Sequence, residues 1–283
     1  MRRLFPTIFV FLLALSASAA AAPNKGVPRL IFPVVGTVEY SDDFGDPRAG
    51  GTHQGNDILA ARQAPAVAVE AGKVKFWTTS AQAGCMLYLY GASGTTYLYI
   101  HLNNDLTSHN DNRGSCVAGT SYAPGLKDGA HVAAGQLVGY VGDSGDANGI
   151  HPHLHFEVHP GDGAAVSPYA YLRKARPLLF YAKKGTTVSV NLIGTVVSSL
   201  DGFLKMKASE VQINSAPAVE TDQTIALAVA PDATLTSPPP FTALTALLRG
   251  MPVKVATEPL RATLAAQRGD PNVLTASYIS IGG

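Results

Sequence analysis

A chain of 283 residues, 46% apolar and 14% charged, is long enough for one large or two modest domains with proper cores. Its net charge of +1 gives no electrostatic case for nucleic acid or an acidic membrane surface as a main partner. Only two cysteines occur and nothing resembles CxxC, which argues against a cysteine-based metal site.

The chain begins MRR, continues LFPTIFVFLLAL and then SASAAAAP. A basic start, a short apolar run and small residues around a cleavage point read as a secretory signal peptide over residues 1–22. The apolar run is too short to span a bilayer comfortably, and no later segment competes with it. The mature chain is therefore expected to be soluble outside the cytoplasm, with no stable membrane span.

From Phe32 to about Val158 short β-rich runs are split by Gly, Pro, Asn and Asp, with few helical periods. AVAVEAGKVKFW (66–77), CMLYLYG (85–91) and TTYLYIHL (95–102) are such runs, with residues 91–94 as the turn between the last two. Strict alternation in the third run puts Tyr97, Tyr99 and His101 on one face and Leu98, Ile100 and Leu102 on the other. Residues 103–128 are polar, turn-rich and too long for an ordinary hairpin loop, so a functional insertion beside His101 is expected to wall one side of a groove. In an exported protein the pair Cys85 and Cys116 reads as a structural disulfide pinning that loop to the strand of Cys85.

The stretch GIHPHLHFEVHP (149–160) carries four histidines: His151, His153, His155 and His159. On a strand, Leu154, Phe156 and Val158 enter a core while His153, His155 and Glu157 share the opposite face. Two imidazoles two residues apart on a rigid face begin a metal site, and further ligands must come from elsewhere. GGTHQGNDILA (50–60) supplies the best candidates, His53 and Asp57, in a loop where Gly55 permits a sharp turn. His53, Asp57 and His155 make three protein ligands of types suited to zinc, with a fourth position left open as catalytic sites require.

SPYAYLRKA (167–175) reads as a short helix closing this domain, which is assigned to residues 30–176. From about residue 186 alternating runs (TVSVNLIGTVV, FLKMKASEVQI, TIALAVA, PVKVATE) and one helical segment at 241–250 point to a small OB-like β-barrel over 185–283. That region holds no His and no Cys, and shows no catalytic apparatus. It is expected to stabilise, space or dock. The fold class is mainly β: an antiparallel β-sheet or sandwich with an active-site groove, followed by the barrel.

The motifs fall in the order of a known family. HQGND at 53–57, APAVAVEAGKV at 64–74, YLYIHL at 97–102 and VAAGQLVGYVGDSGDANGIHPHLHFEV at 132–158 resemble the lysostaphin-like zinc endopeptidases (the LytM type). The flanks FPVVG, DDFGDPR and SPYAYL follow the same pattern, and the likeness spans about residues 31–175. Related D-Ala-D-Ala-type zinc peptidases share the final H-x-H but carry more residues between the first His and the Asp. The spacing here favours the endopeptidase branch.

The resemblance implies one zinc per chain, held by His53, Asp57 and His155, with His153 as general base and His101 assisting the oxyanion or the leaving amine. It implies a metalloprotease that cuts peptidoglycan peptides in a secreted, periplasmic or wall-associated setting. The alternative is a catalytically silent peptidoglycan-binding or hydrolase-activating protein, whose mark in the family is loss of metal ligands. His151, His159, His109 and His131 match no role and read as rim residues or bystanders. The insertion at 103–128 departs from the family pattern, since relatives usually pass to the glycine-rich return in a few residues.

Overall fold

The structure is a computed structural model that describes residues 26–236, 247–271 and 273–282. Strand accounts for 47% of the described residues and helix for 4%, so the molecule is mainly β, as expected. The signal-peptide segment and most of the helix expected at 241–250 lie outside the described residues. Residues 247–250 form coil and a turn. Among the described residues no helix is long and apolar enough to cross a membrane.

The first region is built on β1 (Val38–Glu39), β2 (Asn56–Ala60), β3 (Pro65–Val67), β4 (Gly72–Ser80), β5 (Gly84–Gly91), β6 (Thr95–Leu102), β7 (His131–Val132), β8 (Leu137–Tyr140) and β9 (His153–Pro160). Seven of these form one antiparallel sheet in the order β1-β2-β9-β6-β5-β4-β7, while β3 and β8 pair separately. The run at 66–77 is thus two strands in two sheets, parted before Gly72. A short helix α1 (Tyr169–Leu172) follows. One face of the large sheet sends Leu87, Leu89, Tyr97, Tyr99, Leu154, Phe156 and Val158 into the core, where β3 and β8 cover them. Burying such side chains stabilises by roughly 1.5–3 kcal/mol each.

Alternation fails at one place in β6. Cys85 pairs with Leu102 but Leu87 pairs with Tyr99, so two steps along β5 face three along β6. The extra residue is a β-bulge, and there His101 takes φ = 61°, a left-handed conformation uncommon outside glycine. Tyr97, Tyr99 and Leu102 face the core, whereas His101 turns to the open face with Leu98 and Ile100. The grouping expected from strict alternation is corrected by this bulge.

The insertion at 103–128 lies on the core side. Cys85 and Cys116 are disulfide-bonded. Tyr122 is buried, stacks on Phe76 at 3.8 Å and donates its hydroxyl to the Met86 carbonyl at 3.0 Å. Arg62, just after β2, binds Asp143 through two hydrogen bonds of 2.6 and 2.8 Å and also binds Asp105. Asp105 in turn accepts from the backbone N–H groups of Asp111 and Asn112. One guanidinium therefore ties the insertion to the loop that precedes β9.

The disulfide joins residues 31 apart, for which the chain-entropy estimate is about 3–4 kcal/mol of stability. A Cys85→Ala/Cys116→Ala variant is expected to melt several degrees lower, which thermal melts of the two chains check. An unchanged melting temperature would mean that the bridge adds no stability.

The second region is a closed five-stranded barrel of β10 (Val190–Leu200), β11 (Phe203–Ile213), β12 (Thr224–Thr236), β13 (Pro252–Thr257) and β14 (Thr275–Ile281), with a short helix α2 (Leu264–Gln267). The order is β10-β13-β14-β12-β11, closed by pairing of β11 with β10, and β12 runs parallel to β14. This matches the expected OB-like barrel. Its own core gathers Val190, Leu192, Leu204, Met206, Leu227 and Ile279. Leu178 and Leu264 pack against Ile31, Val35 and Val67 of the first region.

Candidate metal centre

The open face of the large sheet carries a groove of about 430 Å³ whose floor includes Ile100, His101, His153, His155 and Glu157. One wall is the hairpin formed by Pro47–Arg48 and Gly51–Thr52, with the loop after it, and the other is made of Gln82, Ala83 and the loop at 146–150. Among the described residues nothing from 103–128 lines it, so the expectation that the insertion walls the groove is not met. The insertion instead buttresses the 142–149 loop from behind, where Asn148 accepts from Asn110 and Asn112.

His53, Asp57 and His155 converge at the groove floor. His53 Nε2 lies 2.9 Å from His155 Nδ1, and both nitrogens lie 3.1 Å from Asp57 Oδ1. Antiparallel pairing of β2 with β9 sets Asp57 directly opposite His155. Gly55 makes that approach possible: a Cβ there would stand 2.5 Å from the Phe156 carbonyl oxygen and 2.8 Å from His155 Nε2. Its φ is not positive, so close contact rather than turn geometry is what requires glycine.

Tautomers decide what this triangle can hold. His53 Nδ1 faces the Asp43 carbonyl at 2.9 Å, so it donates there and presents the Nε2 lone pair inward. His155 Nε2 faces Glu157 Oε1 at 3.0 Å, so it donates there and presents the Nδ1 lone pair inward. Arg48 takes the other oxygen of Asp57 at 2.8 Å, leaving Oδ1 for the centre. Three ligand atoms about 3 Å apart could hold a metal ion. Donors around a tetrahedral zinc with bonds of about 2.0–2.1 Å stand about 3.3 Å apart, so the residues fit that ion. Carbonyl and carboxylate partners on the outer ring nitrogens are the usual outer support of such ligands.

Without a cation the triangle is held by protons. Burial opposes charge on His155, but hydrogen bonds to Asp57 and Glu157 outweigh it and raise its pKa to about 9. Burial likewise opposes ionisation of Asp57, yet His155 and His53 hold it well below the usual carboxylate range. Glu157 is kept at about 2 against burial by His155 and His159.

The remaining two imidazoles sit beside the triangle. His153 donates Nδ1–H to the His151 carbonyl at 2.9 Å and turns Nε2 to within 3.7 Å of Asp57 Oδ1. His101 donates Nδ1–H to the Ser144 carbonyl at 2.9 Å, its ring 5.1 Å from that of His153. Burial, then the neighbouring imidazoles, push His101 down to about 4, so it rests neutral. Both rings thus turn Nε2 to the groove. Ser144 is itself fixed, accepting from the Cys85 N–H and donating to the Leu102 carbonyl.

Of the other histidines, His159 binds Glu157 Oε2 at 2.6 Å and so braces the partner of His155, a contact the sequence reading did not assign. His151 contributes its backbone carbonyl to His153, and its ring is exposed. His109 and His131 are exposed and do not line the groove. Asp43, Arg48 and Glu157 were missed as supports. Only Glu157, spaced two residues from His155 on the same face, left a signal.

Residues 51–168 match the family model for peptidase family M23. Among curated proteins the chain is similar to an L-Ala–D-Glu endopeptidase of Bacillus subtilis, 26% identical over 163 residues, covering 54% of this chain and 45% of that protein. The chain therefore spans less than half the length of that relative. Among solved structures it is similar to a putative glycyl-glycine endopeptidase lytM from Ruminococcus gnavus, at 27% identity over 51% of this chain and 59% of that one, with a TM-score of 0.40. It is also similar to the catalytic domain of lysostaphin from Staphylococcus simulans, at 24% identity over 48% of this chain and 92% of that one, with a TM-score of 0.36.

Proposed function

We propose, from the premise that residues 51–168 make this chain a member of peptidase family M23, that it is an exported zinc endopeptidase hydrolysing peptide bonds in peptidoglycan stems or cross-bridges. The observation that carries the reading is the convergence of one ligand atom from each of His53, Asp57 and His155, with the Nε2 atoms of His153 and His101 alongside. The chemistry supplied by a zinc ion bound there is activation of water and polarisation of the scissile carbonyl.

The protein's own groups do the rest. His153 Nε2, its lone pair fixed toward the groove, takes the proton of the attacking water as general base. His101 rests neutral with Nδ1–H anchored on Ser144, so its Nε2 starts without a proton. The proton that His153 takes from the water is the one delivered to the leaving amine, directly or by way of His101 Nε2, and an Nε2 so protonated hydrogen-bonds the oxyanion on the way. Arg48 and Glu157 keep Asp57 and His155 oriented throughout. The hairpin at 47–52 and the 146–150 loop confine an extended peptide between them. A silent, wall-binding role is disfavoured because no ligating side chain is missing.

Purified mature protein is expected to clear a peptidoglycan suspension and release new amino groups, to stop when a zinc chelator is added, and to recover with zinc. Clearing that a chelator does not touch would exclude the metal mechanism. No new amino groups with zinc bound would leave only the silent reading.

A further inference from the structure

The groove floor continues across the sheet into a surface that the hydrolytic reading does not use. Register makes it a grid. From the metal triangle one row runs Asp57, His155 and Ile100, then Met86, which lies opposite the bulge, and ends on Trp77. The next row runs Glu157, Leu98, Tyr88 and Lys75, and the third His159, Thr96, Tyr90 and Lys73. Met86, Leu98 and Ile100 form a small apolar cluster under the open face, so the floor is unbroken from His155 outward.

At the far end stand three aromatic rings in file. Trp77 and Tyr88 have centroids 6.1 Å apart, and so do Tyr88 and Tyr90. Trp77, the chain's sole tryptophan, is 45% exposed and Tyr90 is 44% exposed. Leaving that much aromatic surface in water costs hydrophobic stabilisation that burial would supply, and contiguous exposed apolar surface usually marks a binding site.

Resting on the peptidase reading above, we propose that Trp77, Tyr88 and Tyr90 form a platform for the amino-sugar rings of the glycan strand that carries the scissile peptide. The electron-rich faces of aromatic rings suit the C–H faces of pyranoses, which lie flat and need no enclosing pocket. Beside the third row the exposed carboxylate of Asp162, held on the Thr96 hydroxyl at 2.9 Å, offers acceptors to sugar hydroxyls and acetamido N–H groups. Lys73, exposed beside Tyr90, offers a cation to carboxylates borne by the strand's peptides.

The spacing agrees. Trp77 lies three strand intervals from His155, about 14 Å at ~4.8 Å each. An extended peptide of about four residues covers that distance. A stem peptide attached to a sugar on the platform therefore reaches the metal triangle along the apolar row.

The sole tryptophan gives a direct readout on the zinc-loaded full chain. A hexamer of N-acetylglucosamine is expected to change Trp77 emission saturably at millimolar concentration or below, and a free stem pentapeptide, which lacks the sugars, to do so at least about tenfold more weakly. Tyr90→Ala, exposed and outside the metal centre, should weaken hexamer binding about tenfold. It should also raise KM on whole peptidoglycan while leaving cleavage of a sugar-free peptide unchanged. No saturable response to the hexamer overturns the proposal, as does a response that Tyr90→Ala leaves intact. A response to the peptide as tight as that to the hexamer would make the surface a peptide subsite and overturn it too. Emission is read without turnover, so a chain that binds the hexamer but cleaves nothing would refute hydrolysis and leave the platform standing.

Discussion

His155→Ala is expected to yield a folded chain that holds no zinc and hydrolyses nothing measurable. His155 supplies one of the three inward lone pairs, and it lies at the centre of the support network, bonded to both Asp57 and Glu157. Removing it leaves two ligands, too few to hold zinc against competing buffers, and forfeits the several kcal/mol that metal chemistry supplies, at least about a thousandfold in rate. Elemental analysis of the purified variant checks metal content, and the melting curve of the metal-stripped parent controls for folding. Full zinc occupancy in the variant would show that the ligand set is wrong.

His153→Ala should behave in the opposite way on one readout and alike on the other. Its Nε2 is 3.7 Å from Asp57 Oδ1, outside the triangle of 2.9–3.1 Å contacts, so the metal should remain. Loss of a positioned general base costs typically about 10²–10⁴-fold in rate. The expected variant therefore holds a full equivalent of zinc and turns over at least about a hundredfold more slowly, with KM changed far less. Zinc loss here, paired with zinc retention in His155→Ala, would exchange the roles of the two strand histidines.

Much of this site is legible in the sequence because β-strands repeat every two residues. From His153 to Val158 alternation alone separates the core side from the groove side, and the structure follows it through Leu154, Phe156 and Val158. The loop His53 to Asp57 is legible through its residue types, and the barrel through four alternating runs. What alternation cannot foresee is its own interruption. The bulge in β6 shifts the parity at 100–101, and no local residue type announces it. Long-range electrostatics are equally silent: Arg62 meets Asp105 and Asp143 across 43 and 81 residues, and Arg48 reads as an ordinary surface cation until the hairpin brings it to Asp57. The side of the sheet taken by the insertion depends on which way Cys85 points. That follows from strand parity, but only once the register of β5 is known.

The left-handed backbone at His101 has a consequence for how this protein can be improved. A non-glycine residue held there costs of order 1–3 kcal/mol, which the surrounding sheet must over-compensate. Relief of that strain by His101→Gly would be offset by loss of a buried ring and of its hydrogen bond to the Ser144 carbonyl. On the proposed reading the same imidazole serves hydrolysis, so thermostabilising designs should hold position 101 fixed.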